Sequence, residues 1–359
     1  MCIIKIMSTE ELLEQAQLRF VTDKKPGFMR SVSGKKFTYY DKEGKKITDE
    51  ETIERINKLA IPPAYTDVWI CPYANGYLQA TGFDSKKRKQ YRYHPLWNKM
   101  SQQEKFTNLL EFATHLPKIR RHVSKHLRLR GMPREKVIAA VVWLLENTLI
   151  RIGNEEYEKE NKSYGLTTLK NRHATVSYTN TITFQFKGKS GVYHNVHIKN
   201  KKVARVIRHC KDLPGQDLFE YYDDQEKIQT ISSDDVNEYL KAITGVETTA
   251  KDFRTWGGTV LAASAFDKFG ISDKVEISKQ NIVEAVKKVA QYLGNRPATC
   301  RKYYIHPFVI HAYDKGHILS NISEKLEKKK AKIIRGLDAS ENSVLMLLTF
   351  MKRYPEVRS

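Results

Sequence analysis

The most regular hydrophobic pattern in the chain follows Pro133. Val137, Ala140, Val141, Leu144, Leu145 and Thr148 recur three and four residues apart. That spacing predicts a helix with one buried stripe, and Pro133 suits its first turn. Two further helical patterns end at glycine: Asp235–Ile243 before Gly245, and Ser278–Leu293 before Gly294. A last one covers Glu341–Arg353, ahead of Pro355. Between these lies an interval of period two. Thr181–Phe186 and Val192–Ile198 alternate around Gly188-Lys189-Ser190-Gly191, which predicts a β-hairpin.

The first hundred residues read differently. Turn signals at Lys25-Pro26-Gly27, Ser33-Gly34, Lys42-Glu43-Gly44 and Asn75-Gly76 separate the β-prone runs Phe37–Tyr40, Val68–Cys71 and Tyr77–Ala80. One amphipathic helix, about Asp49–Leu59, stops before Ile61-Pro62-Pro63. From about residue 103 the pattern turns helical. The expected architecture is α+β: a small β-rich N-terminal domain, residues 1–102, then a larger, mainly α-helical domain with a β-hairpin, residues 103–359. No fixed-period repeat occurs, and the lysine-rich run Lys325–Lys332 reads as a solvated helix face.

Composition narrows the class. Of 359 residues, 40% are hydrophobic and 29% charged, which fits a folded protein. No apolar run reaches the length of a membrane span, and the start of the chain lacks the pattern of a signal peptide. Cys2, Cys71, Cys210 and Cys300 are too scattered for a zinc site or a disulfide framework, so buried thiols in a reducing cytoplasm are expected.

Charge points to the partner. Lys and Arg number 62 against 41 Asp and Glu, a net +21. Asp84–Lys105 holds seven Lys/Arg and two acids, and His115–Lys136 eight and one. Such dense zones suit a phosphate backbone, and the aromatics of Gln90-Tyr91-Arg92-Tyr93 among them favour nucleic acid over a plain solvated surface. No P-loop motif is present, nor a compact set of acids for paired metal ions. The expected cofactor set is therefore empty: no nucleotide and no metal. Chemistry on a phosphodiester would then rest on side chains, with arginines as planar clamps and a tyrosine as nucleophile.

Taken singly, Arg151, Lys189, Arg254 and Tyr304 each suit ordinary structural roles. Together and in this order they resemble the Arg…Lys…Arg…Tyr set of the poxvirus and bacterial type IB topoisomerases. The matching blocks are Ile150-Arg151-Ile152-Gly153, the Phe186–Gly191 hairpin, Lys251-Asp252-Phe253-Arg254-Thr255 and Tyr303-Tyr304. Lys159-Glu160-Asn161, Gly165–Asn171, Gly82-Phe83-Asp84 and Gln90–Tyr93 agree as well. The likeness runs from about residue 60 to about 320.

The resemblance implies that Arg151 and Arg254 clamp the scissile phosphate of double-stranded DNA, Lys189 is the general acid, and Tyr304, on a helix begun by Pro297, is the nucleophile. Asn295 stands where viral members carry a histidine, as is familiar in the bacterial branch. The family's Ser-Lys-x-x-Tyr becomes Cys300-Arg301-x-x-Tyr304. It further implies DNA contacts by Gln90, Tyr91, Tyr93, Tyr157 and Lys251, a monomeric clamp around the duplex, and a cytoplasmic setting, nucleoid-associated in a bacterium. A tyrosine recombinase is the nearest alternative; those enzymes usually show His-x-x-Arg where this chain has Lys251-x-x-Arg254. An inactive DNA-binding relative would not need all four residues.

Overall fold

The computed structural model describes residues 9–33, 36–322 and 333–353. The run Lys325–Lys332 and Pro355 therefore lie outside the described residues. The chain divides into two compact units, Met1–Asn108 and Leu109–Ser359.

The first unit is built on a five-stranded antiparallel sheet. After the short helix α1 (Thr9–Gln15) come β1 (Phe28–Ser33), β2 (Lys36–Tyr40), α2 (Glu50–Lys58), β3 (Thr66–Ile70), β4 (Leu78–Phe83) and β5 (Lys89–Tyr93), in sheet order β2-β1-β3-β4-β5. Helix α2 starts where the Asp49 carboxylate accepts from the Thr52 N–H at 2.8 Å. It buries Ile56 against Tyr39, Val68, Ile70 and Ala80. Its end is fixed from outside. Arg30 donates to the carbonyls of Ile61, Pro62 and Tyr65 at 3.2, 3.0 and 2.7 Å, filling acceptors that the two prolines leave without a ladder.

Helix α3 runs from Pro95 to His126, beginning eight residues before the sequence pattern turns helical. The reason is local. Pro95 presets the first turn, and His94 Nδ1 accepts from the Leu96 N–H at 3.2 Å. Trp97 and Met100 pack on a small cluster at the end of α1, Leu13, Ala16 and Leu18, and two apolar contacts are too few to give this stretch a helical stripe of its own. The division between the units falls within α3.

The second unit is mainly helical. Its elements are α4 (Arg134–Thr148), α5 (Glu155–Asn161), β6 (Ala174–Val176), β7 (Thr181–Lys187), β8 (Tyr193–Lys199), α6 (Lys201–Lys211), β9 (Glu220–Tyr222), β10 (Ile228–Thr230) and α7 (Ser233–Thr244). There follow α8 (Ala250–Phe269), α9 (Val275–Leu293), α10 (Pro297–Tyr303), α11 (Pro307–Asp314) and a closing helix, Ala339–Arg353. The expected positions on α4 are buried, and so are Ile138, Ala139 and Val142 between them, so the helix is enclosed nearly all round rather than along one stripe. Gly245 and Gly294 cap α7 and α9 in the left-handed region, φ +81° and +59°.

β6, β7 and β8 form one antiparallel sheet whose β7–β8 pair is the expected hairpin. A half-buried charge cluster ties the helices together. Arg120 on α3 pairs with Glu146 on α4 and with Glu341 on the closing helix, both at 2.7 Å, and Trp256 Nε1 of α8 donates to Glu341 at 3.1 Å. Among the described residues no helix is long and apolar enough to cross a membrane.

Candidate active site

Six of the expected residues meet in one cleft of about 260 Å³ in the second unit: Arg151, Tyr157, Lys189, Lys251, Arg254 and Tyr304. Each arrives on a different piece of backbone, except that Lys251 and Arg254 share α8. Helix α4 ends at Leu149 in the left-handed conformation, φ 52°, which turns the chain sharply and leaves Arg151 on an extended segment. Backbone bonds hold that segment in place: Leu166 N–H donates to the Arg151 carbonyl at 2.8 Å and Thr167 N–H to that of Ile152 at 2.7 Å. Lys189 opens a tight turn between β7 and β8, with Ser190 and Gly191 both at positive φ. Its side chain is exposed, and Nζ stands 5.3 Å from the ring centre of Tyr157 on α5.

Arg254 is the most enclosed of the set, 3% exposed on α8. Its guanidinium donates to the carbonyl of Leu149 and, at 2.9 Å, to that of Leu293, so the ends of α4 and α9 both lock it. Arg151 donates to the side-chain oxygen of Asn295 and, at 3.3 Å, to the carbonyl of Gly294. An arginine can only donate, so it fixes which face of the Asn295 amide it meets and leaves Nδ2 pointing elsewhere. Among the described residues, Arg254 Nε and Asn295 Nδ2 are buried donors with no hydrogen-bond acceptor. Arg254 lines the cleft and Asn295 lies behind Arg151 rather than on the lining, and both donors lack the acceptor that buried polar groups normally have.

Tyr304 does not lie within a helix. Helix α10 ends at Tyr303, and Tyr304 occupies the capping position, φ −127° and ψ −7°, with its N–H on the Cys300 carbonyl at 2.9 Å. The next helix begins at Pro307 with His306 extended before it, so α10 cannot continue, and α8 packs closely on the exit: a Cβ added at Gly258 would sit 2.7 Å from the Tyr304 carbonyl oxygen. Gly258 lies one turn beyond Arg254 on the same helix face. The Arg254 Cζ stands 5.1 Å from the Tyr304 ring centre. Burial raises the phenol pKa, but Arg254, Arg151 and Lys251 outweigh it and bring the group below its ordinary value. Both arginines are shifted down, each mainly by burial; Arg151 adds to the effect on Arg254. A guanidinium stays cationic under such a shift.

The remaining expected residues sit elsewhere. Gln90, Tyr91 and Tyr93 are on β5 of the first unit. Tyr91 and Tyr93 are 49% and 37% exposed and stack at 6.1 Å, with Lys89 Nζ 5.8 Å from the Tyr91 ring. Gln90 donates to Asp84 at 3.2 Å. Among the described residues no three metal-ligating side chains cluster.

Residues 85–333 match the model of the eukaryotic DNA topoisomerase I catalytic core, and residues 36–84 that of the bacterial DNA topoisomerase IB N-terminal domain. The chain is 34% identical over 294 residues to DNA topoisomerase 1B of Acanthamoeba polyphaga mimivirus, covering 80% of this chain and 87% of that protein. It belongs to the type IB DNA topoisomerase family. Rabbit fibroma virus DNA topoisomerase 1 is 26% identical over 75% of this chain and 86% of its own. DNA topoisomerase 1 of Mycosarcoma maydis is 30% identical over 45% of this chain, a match spanning only 17% of that longer protein.

Within this type IB chain the two family matches meet at residues 84 and 85, ahead of the structural division after Asn108. Strand β5, with Tyr91 and Tyr93, thus belongs to the N-terminal sheet although it falls in the catalytic-core match. His194 is not among the residues expected from sequence. It occupies an inward position on β8, where Tyr193, Asn195 and His197 are exposed. An imidazole on the covered side of an alternating strand is the signal that marks it.

Proposed function

We propose that this topoisomerase relaxes positive and negative supercoils by cutting one strand of duplex DNA through Tyr304 and resealing it, without ATP or metal. The Tyr304 oxygen attacks the phosphorus, loses its proton to solvent and forms a 3′-phosphotyrosyl bond. The bond to the 5′ oxygen breaks, and the Lys189 ammonium protonates that leaving group. One phosphodiester is exchanged for another, so resealing by the 5′ hydroxyl needs no energy source, and torsion alone turns the free end. Arg151 and Arg254 hold the non-bridging oxygens, and Asn295 adds one neutral donor.

The observation that carries this reading is the pair of unfilled buried donors, Arg254 Nε and Asn295 Nδ2, beside a tyrosine whose phenol is acidified by cations. A phosphate is the anion that would fill them and meet the nucleophile at once. Tyr157 and Lys251 line the cleft where they can meet the flanking backbone. Tyr91, Tyr93 and Gln90 give residues 1–102 a DNA-binding surface of stacked rings and cations, working with residues 103–359 as a monomeric clamp in the cytoplasm.

The test is covalent capture. Stopping the reaction with denaturant should leave DNA attached by its 3′ end to the peptide carrying Tyr304, in EDTA as well as in magnesium. Tyr304→Phe should bind duplex normally and form no adduct, whereas Tyr303→Phe should still form it. Attachment at Tyr303, or to a 5′ end, defeats the assignment. Loss of relaxation in EDTA, restored by magnesium, defeats the metal-free chemistry.

A further inference from the structure

His194 is not part of the chemistry above, yet it lies between two of its components. Its imidazole stacks on Phe186, its register partner across β7 and β8, with ring centres 4.9 Å apart and planes at 14°. A Cβ added at Gly188 would lie 2.7 Å from Cδ2 and Nε2 of this ring, and one added at Gly294 would lie 2.7 Å from Cε1. The ring fills a slot left by two glycines, one directly preceding Lys189 and the other directly preceding Asn295. Gly188 has φ −91° and ψ −169°, a conformation open to any residue. What bars a side chain at 188 is the imidazole itself.

We propose that His194 is a positioning residue, a flat spacer seated between Gly188 and Gly294 that sets the height of the Lys189 turn against the Asn295 loop. Acid and phosphate donors then converge on one phosphate. The inference rests on Lys189 being the acid. The Lys189 turn has few ties of its own. Gly188 N–H donates to the Val192 carbonyl at 2.7 Å and Gly191 N–H to that of Gly188 at 3.1 Å, both inside the turn, and Tyr164 N–H donates to the Lys187 carbonyl at 2.9 Å. His194 is the wedge between this turn and Gly294. Its ring works uncharged, because burial, then Arg151 and Arg254, drive its pKa down to about 4.

The experiment compares single-turnover cleavage of ordinary DNA and of DNA with sulfur in place of the 5′ bridging oxygen, a leaving group that needs no acid. His194→Ala and Gly188→Ala should each slow cleavage of ordinary DNA by about 10- to 100-fold, the scale of a misplaced reacting group. Both should recover on the sulfur substrate, as Lys189→Ala does, with duplex affinity unchanged throughout. Gly188→Ala retains the imidazole and strains no backbone, so it tests the proposal even if His194→Ala folds poorly. The added methyl should cost nothing further in a His194→Ala background, and either single variant should cost nothing further in a Lys189→Ala background. Wild-type rates on ordinary DNA overturn the proposal. So does a His194→Ala or Gly188→Ala enzyme that stays slow on the sulfur substrate while Lys189→Ala is rescued. If Lys189→Ala itself is not rescued, the acid reading falls and takes the positioning role with it.

Discussion

Arg254→Ala separates two jobs of one buried side chain. For folding, the guanidinium is the charged donor to the carbonyls of Leu149 and Leu293, residues only 6% and 0% exposed. Leaving a buried polar group unmet costs about 1–3 kcal/mol, so the two together should lower stability by about 2–6 kcal/mol. For chemistry, removing one fixed donor to a transition-state oxyanion costs about 100- to 1000-fold in rate. A second effect adds to it. Burial already pushes the Tyr304 phenol upward, and Arg254 is the foremost of the cations that reverse this. Without it the phenol should titrate higher, and the pH profile of cleavage should move to the alkaline side.

Rapid-quench cleavage measured against pH, beside urea melts, resolves the two. Arg254→Lys is the informative control, because an ammonium keeps the charge but cannot reach both carbonyls and a phosphate at once. It should be intermediate in stability and still well below wild type in rate. A wild-type cleavage rate for Arg254→Ala would refute the clamp. A lost rate with an unmoved pH profile would refute the claim that this cation tunes the nucleophile.

Arg120→Ala should strand the carboxylates of Glu146 and Glu341 and, since the cluster is half-buried, cost about 1.5–3 kcal/mol in urea melts followed by tryptophan fluorescence; a loss under about 0.5 kcal/mol would contradict the pairing. His173 and His194 are both held down to about 4, each mainly by burial, from an unfolded value of 6.5. The unfolded chain therefore binds more protons between these values, so stability is full above about pH 6.5 and declines towards pH 4. At about 1.4 kcal/mol per pK unit each histidine accounts for about 3 kcal/mol at most, and His194→Phe should flatten its share of the decline; parallel stability curves would speak against it. Duplex affinity should fall by at least about tenfold between roughly 50 and 200 mM salt, as released counterions require. Tyr91→Ala with Tyr93→Ala should weaken binding further while leaving single-turnover cleavage at saturating DNA unchanged, and a slowed cleavage step would place these rings closer to the chemistry.

Local patterns carried far into the fold where each residue's neighbours lie within a turn or a rung. The α4 helix, the glycine stops of α7 and α9 and the hairpin all belong to that kind. The start of α3 did not, because Trp97 and Met100 serve a satellite cluster and give no helical rhythm. The end of α10 was only partly legible: Pro307 and the extended His306 before it bar the helix from continuing, but the close approach of the Tyr304 carbonyl to Gly258, far earlier in the chain, has no local signal. The cleft was legible only through family likeness. Arg151 and Tyr304 are separated by every element from α5 to α10, and nothing in the spacing of either announces the other. His194 shows the converse case, a residue whose signal was present in the strand alternation but whose meaning depends on a glycine of its own hairpin turn and on one, Gly294, far along the chain.

The crossing of α8 and the tyrosyl backbone at Gly258 bears on how a broken strand is kept safe. Arg254 and Gly258 share one face of one helix, so on the proposed mechanism the phosphate clamp and the backbone of the nucleophile are referenced to the same solid body. On that mechanism the severed 5′ end would be free to swing while the duplex is open, and the 3′ phosphate would stay anchored at both its ester and its oxygens to that body. The returning hydroxyl would then find the geometry from which it left, whatever number of turns had passed, and rejoining would require only that one loose end come home.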